Sequence, residues 1–175
     1  MIASRIDLNE YLLEDRKALG FKSRHPSVIG NEIWKFQISL RYLEYYTNCQ
    51  TLFCGGKRLF WKLINHHYSV KLGFDIPPNT CGKGLNIHHY GCVVIHPNAR
   101  LGDYCNIQQG VNIGQNYSAE NVPMIGCGVY LGPGAKLFGK IEIANGTVTK
   151  SFLTPNRTIV GNPARDIGER KPGLV

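Results

Sequence analysis

Long apolar runs are missing from this chain: no stretch of its 175 residues approaches the length needed to cross a bilayer. The apolar core of a secretory leader is missing as well. Residues 1–20 instead carry Arg5, Asp7, Glu10, Glu14, Asp15, Arg16 and Lys17. The six cysteines (Cys49, Cys54, Cys81, Cys92, Cys105 and Cys127) contain no Cys-x-x-Cys pair. Zinc-finger spacing, RNP-like aromatic motifs and glycine-rich clamps are also absent, which argues against nucleic acid as a partner despite a net charge of +8. These absences predict a reduced, soluble, cytoplasmic protein.

The charge itself is spread along the chain. Residues 1–74 hold 11 Lys/Arg against 6 Asp/Glu, and residues 75–175 hold 9 against 6. A basic balance of this kind suits an anionic ligand such as a phosphate-bearing cofactor, an acidic glycan or a membrane surface.

What the chain does have is a period of six. Ile95, Leu101, Ile107 and Ile113 are six apart, and so are Val93, Ala99, Cys105 and Val111 two places earlier. The pattern resumes at Ile125, Leu131, Leu137 and Ile143, accompanied by Val129, Ala135, Ile141 and Thr147. Two inward positions per hexapeptide describe a short flat strand followed by a corner. Three such strands make one triangular coil, and stacked coils make a β-helix. A helix would show a period of 3.6 and an ordinary sheet a longer strict alternation. The predicted fold class is mainly β: a left-handed parallel β-helix of hexapeptide repeats with an N-terminal α-helical segment.

Three segments follow: a helical cap over 1–74, the repeat over 75–153 and a tail over 154–175. In the first, Asp7 with Glu10 predicts a capping box for a helix bearing Leu8, Tyr11, Leu12 and Leu19. A second helix is predicted over Asn31–Thr47, with Ile33, Phe36, Leu40 and Leu43 on one face. Gly55-Gly56 is predicted to break the chain. A third helix then carries Leu59, Phe60, Leu63, Ile64 and His67 and stops at Gly73. Its polar side holds Lys57, Arg58 and Lys62 beside Trp61, either a solvated face or a strip for a membrane surface or glycan. The segment has a structural task in either case, because the first coil of a β-helix ends in an open edge of unpaired backbone groups.

Two irregularities interrupt the repeat. Ile87 and Ile95 are eight residues apart, so two extra residues lie in Ile87-His88-His89-Tyr90-Gly91-Cys92 and must bulge outward. Gln115–Val122 carries no inward aliphatic side chains and predicts a loop leaving the wall.

Gly73-Phe-Asp-Ile-Pro-Pro-Asn79, Ile87-His-His-Tyr-Gly91 and Val160-Gly-Asn-Pro-Ala-Arg165 together resemble the serine acetyltransferase group of hexapeptide-repeat acyltransferases, over roughly residues 73–168. The resemblance implies a homotrimer with sites between neighbouring solenoids and transfer of acetyl from acetyl-CoA to a hydroxyl, with no metal. It also implies that His89 is the general base and Asp75 the carboxylate that orients it. A one-residue shift of the match would make His88 the base; otherwise His88 stands where the family has an aspartate, beside the acceptor. An alcohol is a poor nucleophile near neutral pH, so a histidine that accepts its proton and a carboxylate on the other ring nitrogen are what the chemistry requires. By the same resemblance Gly114 and Gly132 mark the outer groove that takes CoA, and Thr149, Lys150 and Arg165 lie toward its phosphates. Lys150 and Arg165 read equally well as ordinary surface charges.

The departures concern the acceptor. The family's Arg-His pair, which helps hold serine, is replaced by Asn121-Val122 before Pro123-Met124-Ile125-Gly126, and its glycine-rich loop is replaced by Gln115–Val122. L-serine and a sugar hydroxyl of capsule or exopolysaccharide synthesis both remain open as acceptors. Relatives also place one more hexapeptide within Ile141–Thr149. A zinc site of carbonic-anhydrase type from His88, His89 and His96 lacks the usual ligand pair five apart. A purely structural solenoid would need neither His89 with Asp75 nor the Val160–Arg165 tail.

Overall fold

The computed structural model describes residues 1–49, 54–149, 157–160 and 165–169. Three helices come first: α1 (Arg5–Ala18), α2 (Glu32–Asn48) and α3 (Cys54–Leu72). Eleven short strands then wind into a parallel β-helix: β1 (Phe74–Asp75), β2 (Asn86–Ile87), β3 (Val93–Ile95), β4 (Arg100–Leu101), β5 (Asn106–Ile107), β6 (Asn112–Gly114), β7 (Met124–Ile125), β8 (Tyr130–Leu131), β9 (Lys136–Phe138), β10 (Glu142–Ile143) and β11 (Val148–Thr149). A last pair, β12 (Arg157–Val160) and β13 (Arg165–Glu169), runs antiparallel.

The three walls are the sheets β1-β3-β6-β9, β4-β7-β10 and β2-β5-β8-β11. Cys81, bridged to Leu101, supplies the first rung of the second wall, so four coils are stacked. The regular register is eighteen residues, or three hexapeptides: Val94 lies opposite Asn112, Met124 opposite Glu142 and Tyr130 opposite Val148. Both predicted irregularities appear as register changes. Asn86 faces Asn106, two residues too many, and Asn112 faces Lys136, one hexapeptide too many.

The inward positions are the predicted ones. Val93, Ile95, Ala99, Cys105, Ile107, Val111, Ile113, Val129 and Leu131 are all buried. Each large aliphatic there contributes about 1.5–3 kcal/mol by leaving water. In the fourth coil Ala135, Leu137 and Ile141 are only partly buried, as expected where no further coil covers them. Ile141–Thr149 continues the wall without a gap, β10 on β7 and β11 on β8. The shortened stretch therefore leaves the wall pairing intact through the fourth coil.

The helical segment closes the other end, through polar side chains as well as apolar ones. Phe36 and Leu40 of α2 join the solenoid core. Beside them the first coil's unpaired backbone groups are taken one by one. Gln37 Nε2 donates to the Leu85 carbonyl (2.7 Å), and Arg41 donates to the carbonyls of Cys81 (2.9 Å) and Gly82 (2.6 Å). Leu85 N–H donates to Asp15 (2.9 Å) and Asn79 N–H to Glu44 (2.8 Å). Arg41 is itself fully buried between Asp15 (2.8 Å) and Glu44 (3.0 Å). Burial pushes both carboxyls up, and the guanidinium pulls them back down.

Three expectations about the helices are corrected. The box at the start of α1 is Ser4 with Asp7: Asp7 N–H donates to Ser4 Oγ and Ser4 N–H to Asp7 Oδ2, so Asp7 is the third helical residue and Glu10 is not in the box. Gly55-Gly56 does not break the chain but lies within the first turn of α3. The apolar stripe of α3 faces outward. Leu59, Phe60 and Leu63 are exposed, whereas Asn65 and Leu72 are buried and Trp61 stacks on Tyr42 at 4.3 Å. Large aromatic area wins the packed side.

Candidate active site

The two-residue expansion builds an outward bulge. His88, His89, Tyr90 and Cys92 are all exposed, between the buried Ile87 and Val93. The bulge is nevertheless fixed at both ends. His88 N–H donates to the Ile107 carbonyl (3.3 Å), Gly91 N–H to the Leu72 carbonyl (3.1 Å) and Val93 N–H to the Gly73 carbonyl (3.1 Å). Gly91 has φ +126°, a conformation that side-chain-bearing residues rarely adopt, which accounts for a glycine at this bend. The same bonds join the bulge to the α3–β1 junction, so Asp75 follows two residues after the Gly73 anchor.

Within the bulge the two histidines differ. His88 Nε2 lies 2.9 Å from Asn106 Nδ2, and Gln108 Nε2 donates to Asn106 Oδ1 at 3.3 Å. That second bond orients the Asn106 amide, whose Nδ2 then donates to His88 Nε2 and leaves the ring proton of a neutral His88 on Nδ1. The His89 ring lies 6.0 Å from that of His88, outside this chain of amides. Tyr90 Oη donates to Glu32 Oε2 (3.3 Å), which also takes part in an ion pair with Lys71 through Oε1 (3.3 Å). Desolvation, then the Glu32 charge, pushes the Tyr90 phenol up.

Two hollows lie nearby, one at the bulge and one at β1. One, of about 350 Å³, is lined by Phe21, Glu32, Trp34, Asn86, His88 and Tyr90. The other, of about 960 Å³, runs between α3 and the first coil and is lined by Asp75 with Arg58, Lys62, His66, Val70 and Pro77. His88 and Asp75 therefore line different hollows, and His89 lines neither. Among the described residues no hydrogen bond joins His89 and Asp75.

The predicted groove glycines lie on different walls. Gly114 ends β6, and a Cβ there would stand 2.5 Å from Phe138 Cε1, so the Phe138 ring already fills that place. Gly132 follows β8, is buried, and its carbonyl accepts from Ala135 N–H (3.1 Å). Thr149 ends β11 and Arg165 starts β13, with side chains outside the description; Lys150 lies outside the described residues. Among the described residues no group of three or more His, Cys, Asp or Glu could hold a metal ion.

Asn106 and Gln108 did not emerge from the sequence as site residues. Eighteen residues separate Asn106 from His88, but the two-residue expansion puts Asn86 opposite Asn106, so the six-residue spacing alone did not single it out. Val122, standing where the resemblance expects a substrate-holding histidine, is 5% exposed and belongs to the core.

No family model matches the chain. Two curated proteins similar to it are the serine acetyltransferases of Salmonella typhimurium strain LT2, 30% identical over 167 residues, and of Synechococcus elongatus, 35% identical over 115 residues. The first match covers 87% of this chain and 59% of the relative; the second covers 61% and 47%. The chain thus spans about half the length of these curated relatives. A solved structure of serine acetyltransferase from Brucella abortus strain S19 in complex with coenzyme A superposes with a TM-score of 0.59 at 26% identity, covering 95% of this chain and 70% of that one.

Proposed function

We propose that this chain, which is a homologue of the serine acetyltransferases with their left-handed β-helical hexapeptide fold, transfers acetyl from acetyl-CoA to a hydroxyl group. The observation that carries the reading is the bulge. At the one place where the wall takes two extra residues, it exposes a histidine pair fixed beside the strand that bears Asp75.

His89 acts as general base. It takes the proton of the acceptor hydroxyl while the oxygen attacks the thioester carbonyl, and returns a proton to the leaving CoA thiolate. Asp75 holds the ring in the productive tautomer and stabilises the imidazolium. His88, held through Nε2 by Asn106, borders the acceptor. Asp75 lines the hollow along α3 and His89 is exposed on the bulge, and the site is completed in a homotrimer, where a neighbouring solenoid covers the bulge. Gly114, Gly132, Thr149, Lys150 and Arg165 lie toward CoA. The coenzyme A complex of the Brucella relative supports acetyl-CoA as donor. Dependence on acetyl-CoA in turn supports a cytoplasmic location.

The acceptor favoured by the relatives is L-serine. A second reading, a sugar hydroxyl of a capsule or exopolysaccharide, rests on Asn121-Val122: Val122 is buried in the core and cannot hold an amino acid. The test is CoA release from acetyl-CoA, first with L-serine and then with nucleotide sugars and oligosaccharides. Wild type and His89→Ala are compared. Turnover with serine that the variant loses supports the first reading, and turnover with glycans alone supports the second. Absence of both turnover and acetyl-CoA binding would refute the enzyme.

A further inference from the structure

Among the described residues the outward face of α3 has no partner, and it is unlike a solvated helix face. Leu59, Phe60, Leu63 and Val70 are 58%, 56%, 61% and 70% exposed. At about 100° per residue, Leu59, Leu63 and Val70 fall on one stripe with Phe60 at its edge, opposite the packed Asn65 and Leu72. Lys62 and Lys71 border the stripe on either side, Arg58 and Lys57 lie further round toward the packed side, and the exposed His66 falls within the stripe. No Asp or Glu occurs anywhere in the helix. Lys71 pairs with Glu32 and Lys57 lies over the Tyr46 ring, while Asp75 lines the adjoining hollow together with Arg58 and Lys62.

An apolar stripe with cations along both edges matches a surface that is apolar within and anionic at its rim. Acidic lipid headgroups above acyl chains have that arrangement. A second copy fits less well. Pairing of α3 with its copy would bring together two helices that each carry Lys57, Arg58, Lys62 and Lys71 and no Asp or Glu, in a chain whose net charge is already +8. Among the described residues no helix is long and apolar enough to cross a membrane, so α3 would lie on the surface and not span it.

We propose that α3 docks this protein on an anionic lipid surface, with Leu59, Leu63, Val70 and Phe60 entering the headgroup boundary and Arg58 and Lys62 meeting lipid phosphates. The docking requires neither acetyl-CoA nor an acceptor and stands or falls apart from the proposed activity.

The test is co-sedimentation of the full chain with vesicles of phosphatidylcholine alone and of phosphatidylcholine with an equal share of phosphatidylglycerol. Binding is expected only to the second and should fall as salt rises. Arg58→Gln with Lys62→Gln should weaken it by about 30-fold, and Phe60→Ser with Leu63→Ser should abolish it. These side chains are exposed, so circular dichroism and melting should match wild type. The salt series on wild type needs no variant. No binding to the acidic vesicles, or binding equal in all variants, overturns the proposal. So does an apolar variant that changes the oligomeric state by light scattering while leaving vesicle binding intact, which would assign the face to a second copy.

Discussion

Asn106 Nδ2 lies 2.9 Å from His88 Nε2, on the neighbouring coil of the solenoid. The contact separates two adjacent histidines that the sequence alone leaves interchangeable. His88 has its Nε2 lone pair engaged, whereas His89 is outside the amide chain.

His89→Ala should therefore lower acetyl transfer by about 10²–10⁴-fold, the range for removing a general base. His88→Ala and Asn106→Ala should cause smaller losses of equal size, with no further loss when combined, because one side chain acts through the other. Steady-state kinetics on the three single variants and the double variant decide it. Additive losses from His88 and Asn106 would mean that they act independently.

At the capped face of the first coil, Asp15→Ala should cost about 3–5 kcal/mol, since it leaves the buried Arg41 guanidinium short of a partner and strips the Leu85 N–H. Many buried ion clusters can be replaced by apolar residues without loss. This one should not be replaceable, because Arg41 also serves the Cys81 and Gly82 carbonyls and Gln37 the Leu85 carbonyl. Urea denaturation of Asp15→Leu/Arg41→Met/Glu44→Leu checks this, with recovery of wild-type stability as the contrary result.

That cap shows where the sequence stops being legible. The six-residue period, its inward side chains, the bulge at Ile87–Cys92 and the loop at Gln115–Val122 can be read directly, because a solenoid repeats one local rule. Gln37, Arg41 and Glu44 share a helical face with Phe36 and Leu40, but spacing alone does not reveal that unpaired carbonyls await them. The α3 error has the same root. Periodicity finds an apolar stripe but does not say whether it packs, and here stacking of Trp61 on Tyr42 turned the other side inward. At the site, His89 and Asp75 can be read only through a resemblance, since their meeting is not a property of one chain.

The cysteines give a prediction with a defined pH window. Burial pushes the thiols of Cys81 to about 12 and Cys105 to about 11, from 9.0. Folded pKa values raised in this way give a contribution that is complete below pH 9 and lost as pH rises through 11 to 12. The denaturation midpoint of wild type should therefore fall steeply in that window, and the fall should be shallower in Cys81→Ala/Cys105→Ala. Below it, iodoacetamide should label the exposed Cys92 and Cys127 in the native protein and spare Cys81 and Cys105, as read by peptide mass spectrometry.

Two glycines facing the next coil should respond differently to a methyl group. At Gly102 a Cβ would stand 2.6 Å from the Cys127 nitrogen and 2.7 Å from the Gly126 carbonyl carbon, both backbone atoms of the neighbouring rung. At Gly114 the obstacle is the Phe138 ring, at 2.5 and 2.7 Å, and that side chain is 46% exposed and free to swing outward. Gly102→Ala should thus destabilise by at least about 1–3 kcal/mol, with no rescue from Cys127→Ala. Gly114→Ala should cost less and be neutral in a Phe138→Ala background. Urea denaturation of the singles and both doubles measures it. A Gly114→Ala penalty that survives Phe138→Ala would mean that the wall itself, and not the ring, requires glycine there.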